Sequence, residues 1–149
     1  MGKIIKAICI LIVAFFIVVT TGSMDNKKTY AGGGINYKVT VSNPTDKKCR
    51  VCLMVEKLTF QEAKETVTLS PGDSHTWETG ALCPCGLEGK VYDTVGKEWR
   101  LMECINMYGH KANCNGVGMV AVCASHSFTI ERKTGVTEVR DYDYGFRKN

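Results

Sequence analysis

Apolar and polar residues alternate along much of the chain after residue 34, with the period of two that is typical of half-buried strands. Two such runs, at 35–41 and 49–58, flank residues 43–46, where Pro44 indicates a turn. The two runs therefore predict a β-hairpin. The positions expected to face the core are Ile35, Tyr37, Val39, Val41, Cys49, Val51, Leu53 and Val55.

The rest of the chain continues in short segments separated by turn residues. Residues 59–65 fit a short helical turn or a loop, 87–95 indicates a broken strand, and 98–108 is interpreted as a strand although helical spacing also fits. Further strands are predicted at 66–69, 74–78, 119–123, 127–132 and 136–139. Strands at intervals of about 8–12 residues predict an all-β fold. We expect a single disulfide-stapled antiparallel β-sandwich of about seven to nine short strands, Ig-like or similar.

The N-terminus predicts a signal peptide over residues 1–23, with cleavage as late as residue 31. A short basic start is followed by an unbroken apolar run of thirteen residues at 7–19. This run is shorter than the roughly 20 residues of a membrane-spanning helix, and it fits the core of a secretory signal. We therefore expect a secreted, periplasmic or extracellular protein. The alternative is membrane anchoring through an uncleaved N-terminal segment.

Residues 24–34 are polar and glycine-rich and predict a flexible linker, 35–140 the sandwich domain, and 141–149 a charged tail. The 19 basic and 15 acidic residues give the whole chain a net charge of +4. Residues 1–31 contain four lysines and one aspartate, so the remainder has 15 basic and 14 acidic residues. Because its net charge is only +1, we expect no nucleic-acid partner.

Seven of the eight cysteines follow the leader, and in an exported domain of this size they favour disulfides. Cys83 and Cys85 are too close to bridge each other easily, so we expect two bridges that tie their loop to two strands. A bridge between Cys104 and Cys114 would close nine residues. An odd number leaves one thiol over, free or in an intermolecular disulfide. The candidates are Cys49, Cys52, Cys83, Cys85, Cys104, Cys114 and Cys123.

The close pairs Cys49/Cys52 and Cys83/Cys85 are also an alternative zinc or redox motif. In a strand, however, residues three apart point to opposite faces, which disfavours a shared ion. The spacing of His75, Cys123 and His126 resembles that of the ligands in blue copper proteins, which implies a copper site. No methionine follows His126 as an axial ligand. We expect no cofactor and keep a Cu- or Zn-binding or redox protein as the alternative.

Catalysis has little support in the sequence. There is no G-x-S-x-G, H-E-x-x-H or glycine-rich phosphate loop, and the three histidines have no recognisable nucleophile beside them. We therefore expect a protein that is not an enzyme.

Aromatic residues are the remaining candidates for binding, as a platform for sugar or lipid. They are Trp77, Trp99, Tyr108, Tyr142, Tyr144 and Phe146, of which Trp77, Trp99, Tyr142 and Tyr144 are the named ligand-facing candidates. The alternative places Trp77 and Trp99 in the core. Residues 77–80 and 86–93 resemble the central region of aegerolysin-type β-sandwiches, which implies membrane binding. The sequence thus predicts an exported, non-catalytic binding or interaction module whose partner is an unknown protein, glycan or lipid surface.

Overall fold

The computed structural model describes residues 34–57, 60–134 and 143–149, apart from the side chains of Lys57, Phe60 and Lys64. Residues Gly34–Asn149 make up one compact unit. The predicted signal peptide, most of the linker, the strand expected at 136–139 and Tyr142 lie outside the described residues. No helix within those ranges is long and apolar enough to cross a membrane.

The described residues form two packed sheets and no helix, which confirms the all-β sandwich prediction. One sheet has the strand order β4-β1-β8-β9 and the other β3-β2-β5-β6-β7. All neighbours are antiparallel except β1 and β8, which run parallel. The strands are β1 (Lys38–Ser42), β2 (Cys49–Lys57), β3 (Phe60–Leu69), β4 (Ser74–Glu78), β5 (Pro84–Asp93), β6 (Glu98–Asn106), β7 (Lys111–Ala112), β8 (His126–Arg132) and β9 (Tyr144–Lys148).

The core lies between the sheets and is built from the alternating positions of each strand. The predicted inward face of β2, which starts at Cys49 and ends at Val55, is fully buried, as are Phe128 and Ile130 of β8. Leu87 of β5 and Ile105 of β6 complete the centre of the larger sheet. Each such side chain contributes about 1.5–3 kcal/mol through removal of apolar surface from water.

The hairpin expected between the first two strands is wrong, because β1 and β2 belong to different sheets. The chain crosses from one sheet to the other after Asn43, whose side chain is fully buried. The Asn43 Nδ2 donates to the carbonyl oxygens of Lys47 at 2.8 Å, Leu69 at 3.1 Å and Ser70 at 3.2 Å. These bonds satisfy main-chain groups at the corner. A proline-containing turn alone does not distinguish such a corner from a hairpin.

The central strand β5 is continuous, where the sequence indicates a broken one. Its glycines accommodate neighbours rather than interrupt the strand: a Cβ on Gly86 would lie 2.6 Å from the Met119 Sδ, and one on Gly89 would lie 2.7 Å from the Phe146 ring. Both approaches are too close for any side chain. Glycine is therefore required here by close packing.

Other boundaries also differ from the sequence-based expectation. The strand interpretation of 98–108 is confirmed by β6, whereas residues 60–65 extend β3 and residues 119–123 form a loop rather than a strand. The segment expected to be a charged tail contains β9, which pairs with β8. Tyr144, Gly145 and Phe146 of β9 are all buried, and only Arg147 and Lys148 of this strand are exposed.

Replacing Asn43 with Ala tests the corner. The variant leaves one buried and two part-buried carbonyls without their shared donor, so we expect the free energy of unfolding to fall by about 1–3 kcal/mol. Urea denaturation followed by fluorescence measures the change. The exposed Asn113→Ala is the matched control and is expected to stay within about 0.5 kcal/mol of wild type. Equal stabilities of the two variants would contradict the account of the corner.

Candidate functional site

Several loops meet at one end of the sandwich, which we call the disulfide end. It comprises the β4–β5 loop (79–83), the β6–β7 turn (107–110) and the long β7–β8 loop (113–125). Strand register brings these loops together, since Glu78 lies opposite Lys38, and Asn106 opposite Gly86, at the strand ends where the loops begin. The other end carries the 43–48 corner and the β5–β6 turn at 94–97.

Two disulfides fasten the long loop. Cys83–Cys123 joins its far part to the β4–β5 loop with a Cα–Cα distance of 4.5 Å. Cys104–Cys114, the bridge considered from spacing, joins its start to β6 with a Cα–Cα distance of 5.3 Å. The predicted double anchor at Cys83 and Cys85 is wrong, because Cys85 is a free thiol. β5 begins at Pro84, so Cys83 belongs to the loop while Cys85 is buried within the strand.

The long loop also has a small core of its own on the outer face of the larger sheet. Met119 is buried in it together with Cys85 and Cys104, and the half-buried Met54, Ala112 and Ala121 pack around them. The Gln61 Nε2 donates to the carbonyl oxygen of Met119 at 2.8 Å and to that of Gly116 at 3.3 Å. The loop is thus held at both ends and in the middle.

This fixed loop and the neighbouring turn expose three large apolar side chains, which we call the apolar patch. Tyr108 is 55% exposed, Val117 63% and Val120 59%. The turn and the loop are linked by a hydrogen bond from the Asn106 Nδ2 to the Gly118 carbonyl at 3.3 Å. This bond ties the turn that carries Tyr108 to the loop that carries Val117 and Val120.

Basic side chains flank the apolar patch. The Lys148 Nζ lies 5.6 Å from the centre of the Tyr108 ring, and Lys111 follows the β6–β7 turn. Both lysines are exposed, and neither forms an ion pair with a carboxylate of the described residues. Lys38, in contrast, is paired with Glu78 at 2.9 Å. The disulfide end thus combines exposed apolar groups with unpaired positive charge.

An open groove of about 510 Å³ runs beside this end and includes Lys38, His126 and Lys148 in its wall. Burial and, secondarily, the charge of Lys148 hold the pKa of His126 below its usual value. The His126 side chain is therefore mostly neutral near pH 7. The groove offers basic and hydroxyl groups to solvent.

The structure does not bring the copper candidates together. Cys123 is bonded to Cys83 and has no thiolate to offer, while the His75 ring packs edge-on against Trp77 at 4.6 Å. Among the described residues, the ligand-type atoms that do converge belong to Glu88, Cys104 and Cys114. The last two form a disulfide, so this group is no thiolate site.

The first close cysteine pair is split between the two faces of β2, as strand geometry requires. Cys49 faces the core and Cys52 lies half-buried in an outer groove of about 200 Å³ between Arg50 and Lys90. Burial raises the pKa of both Cys49 and Cys85 to about 11. Cys52 is therefore the accessible free thiol among the described cysteines.

The named aromatic candidates are mostly structural. Trp77 and Tyr144 are buried in the core, and the Tyr144 hydroxyl donates to the Asp46 carboxylate at 3.0 Å. Trp99 is half-buried beneath the Arg50 guanidinium, which lies 4.2 Å from its ring centre. Trp77 and Tyr144 offer no face to a ligand because they fill the space between the sheets.

Tyr108 is one of the aromatic candidates predicted from the sequence, but the exposed Val117 and Val120 are not among the predicted residues. The available signal was Gly116-Val117-Gly118, an apolar residue between two glycines, and Val120 next to the buried Met119. Both glycines adopt positive φ, which marks a tight turn rather than a strand. An apolar residue in such a turn has little opportunity to be buried.

The free thiols are expected to react at different rates. At pH 8 a thiol with a pKa of about 11 is ionised in only about one molecule in a thousand, and burial blocks access as well. Brief treatment with iodoacetamide should therefore modify Cys52 first, and Cys49 and Cys85 only after denaturation. Peptide mapping by mass spectrometry measures each site. Equal labelling of the three cysteines in the native protein would contradict these positions.

Comparisons with known proteins give distant structural likeness. No family model matches the sequence, and no curated protein does. Among solved structures, the chain is similar to a disulfide-locked intermedilysin mutant with human CD59 (TM-score 0.45) and to the human-specific toxin intermedilysin (0.44), each at 9% identity. It is also similar to the cytotoxin suilysin from Streptococcus suis (TM-score 0.41, 9% identity). Each comparison covers 76% of this chain, which spans about a quarter of those proteins.

Proposed function

We propose that this protein is an exported, non-catalytic binding module that recognises a surface through its disulfide end. One observation carries the proposal: Val117 and Val120 are exposed on a loop that two disulfides and a small buried core hold in place, and Tyr108 is exposed on the turn that is hydrogen-bonded to this loop. Exposed apolar side chains are individually common on proteins, but three of them on elements that are fixed to each other mark a contact surface.

Rigidity makes this surface suited to binding. A flexible loop loses conformational entropy when it docks, and that loss subtracts from the affinity. Here the loop is already ordered by Met119 and by the bonds from Gln61. Most of the free energy gained by covering Tyr108, Val117 and Val120 therefore remains available for association.

Export is supported by the two disulfides, because such bonds persist in oxidising compartments. The basic start and apolar run of the N-terminus agree with this.

The absence of catalysis is the other part of the proposal. It is supported by the lack of a hydrolase motif in the sequence and by the placement of the histidines on separate elements. His75 packs on Trp77 in β4, His110 is exposed in the β6–β7 turn, and His126 begins β8.

The triple variant Tyr108→Ser/Val117→Ser/Val120→Ser tests the proposal. We expect it to fold normally, since the three side chains are exposed, and to bind at least about tenfold more weakly to the surface it recognises. Binding is measured on intact cells, immobilised glycans and phospholipid vesicles. Val95→Ser is the matched control, because Val95 is 80% exposed at the opposite end.

Two results would contradict the proposal. One is equal binding by the triple variant and the Val95 control on every surface tested. The other is turnover of ester, peptide or glycoside substrates by the purified protein, which would show that it is an enzyme.

A further inference from the structure

We infer that the surface recognised by the disulfide end is a lipid bilayer with anionic headgroups. This inference rests on the proposed function and specifies its partner. Two observations support it. Exposed apolar side chains lie with unpaired lysines at one end of the sandwich, and the exposed apolar side chain at the other end lies beside carboxylates.

The apolar residues have the placement that insertion into a bilayer requires. Tyr108 occupies the β6–β7 turn. Val117 lies in a second turn, which accepts a hydrogen bond from Asn106 at the end of β6. Side chains at turns project outward, and a bilayer interface accepts projecting groups without a matching pocket. A tyrosine suits this position because its ring is apolar while its hydroxyl remains hydrated.

The charges beside the apolar patch complement anionic lipid. Lys111 and Lys148 are exposed and have no carboxylate partner among the described residues. At the same end, Glu78 is already paired with Lys38. A lysine close to an anionic membrane strengthens binding by about fivefold. A protein partner would need an apolar cavity that matches these projecting side chains, whereas a bilayer needs no such cavity.

The opposite end also exposes an apolar residue and a lysine, Val95 and Lys97, in one turn, but it adds acidic groups beside them. Its exposed apolar residue, Val95, stands in a turn beside a charged network in which Arg100 pairs with Asp93 at 3.5 Å and with Glu98 at 2.5 Å. Desolvation of these carboxylates would oppose membrane contact. The acidic groups beside Val95 therefore make the opposite end less suited to an anionic membrane than the disulfide end is.

The path of the chain agrees with this orientation. Residues 34–37 enter β1 at the disulfide end, where the Gly80 N–H donates to the Asn36 Oδ1 at 2.9 Å and the Tyr37 N–H donates to the Gly80 carbonyl at 3.2 Å. Ile35, 66% exposed, adds an apolar side chain there.

Sedimentation with phospholipid vesicles tests the inference. The sample is the protein as the producing cell releases it, and mass spectrometry shows whether the N-terminal leader has been removed. The probes are phosphatidylcholine vesicles with and without phosphatidylserine. We expect stronger sedimentation with the anionic vesicles, a decrease as salt is raised, and at least about tenfold weaker binding for the triple patch variant.

Charge is tested separately with the double variant Lys111→Gln/Lys148→Gln. It should bind anionic vesicles about 25-fold more weakly, about fivefold for each lysine, and lose far less of its binding to neutral vesicles. The matched control is Lys48→Gln/Arg132→Gln, which removes two exposed charges away from the disulfide end and should bind like wild type.

The outcomes separate the lipid partner from the broader proposal. If wild type sediments with neither vesicle but binds cells or glycans through the apolar patch, the lipid inference is overturned and the binding module stands. If both charge variants bind anionic vesicles like wild type, the anionic headgroup is overturned. If the patch variant matches wild type on every surface, both proposals fail.

Discussion

The contact of Met119 with Gly86 is the constraint on which the disulfide end depends. Only glycine at position 86 leaves room for the Met119 thioether against β5, and this buried side chain sets the course of the loop on either side of it. Because Met119 points inward, its exposed neighbours Val117 and Val120 are presented to solvent. The disulfides then fix the loop at both ends, so the apolar patch is a consequence of one packing contact and two covalent bonds.

A carboxylate joins the two sheets of the sandwich, in addition to the apolar packing between them. The Glu103 side chain on β6 accepts a hydrogen bond from the Phe146 N–H of β9 at 2.5 Å and pairs with Lys133 at 3.2 Å. Glu103 thereby links one strand from each sheet. Together with the buried amide of Asn43, it shows how polar groups at the sheet margins satisfy main-chain donors and acceptors where no neighbouring strand is available.

The strands were predictable where one face is fully buried, as in β2, because burial imposes strict alternation of residue type. The pairing of the strands was not predictable, because Pro44 indicates a turn but does not show whether the chain returns to the same sheet. β9 was obscured by the charged residues around Tyr144 and Phe146. The apolar patch depends on which of Val117, Met119 and Val120 points inward, and that is decided by a glycine more than thirty residues away in sequence. Local sequence does not contain this information.

Amide hydrogen exchange at Met119 and Val122 tests most directly whether the loop is held as described. The Met119 N–H donates to the Gly116 carbonyl at 3.0 Å and the Val122 N–H to the Pro84 carbonyl at 2.8 Å. The account predicts that both amides exchange at least about a hundredfold more slowly than an unstructured chain, and that Met119→Ser removes this protection while Val51 and Leu87 keep theirs. Rapid exchange of Met119 and Val122 in the wild-type protein would contradict a preordered apolar patch.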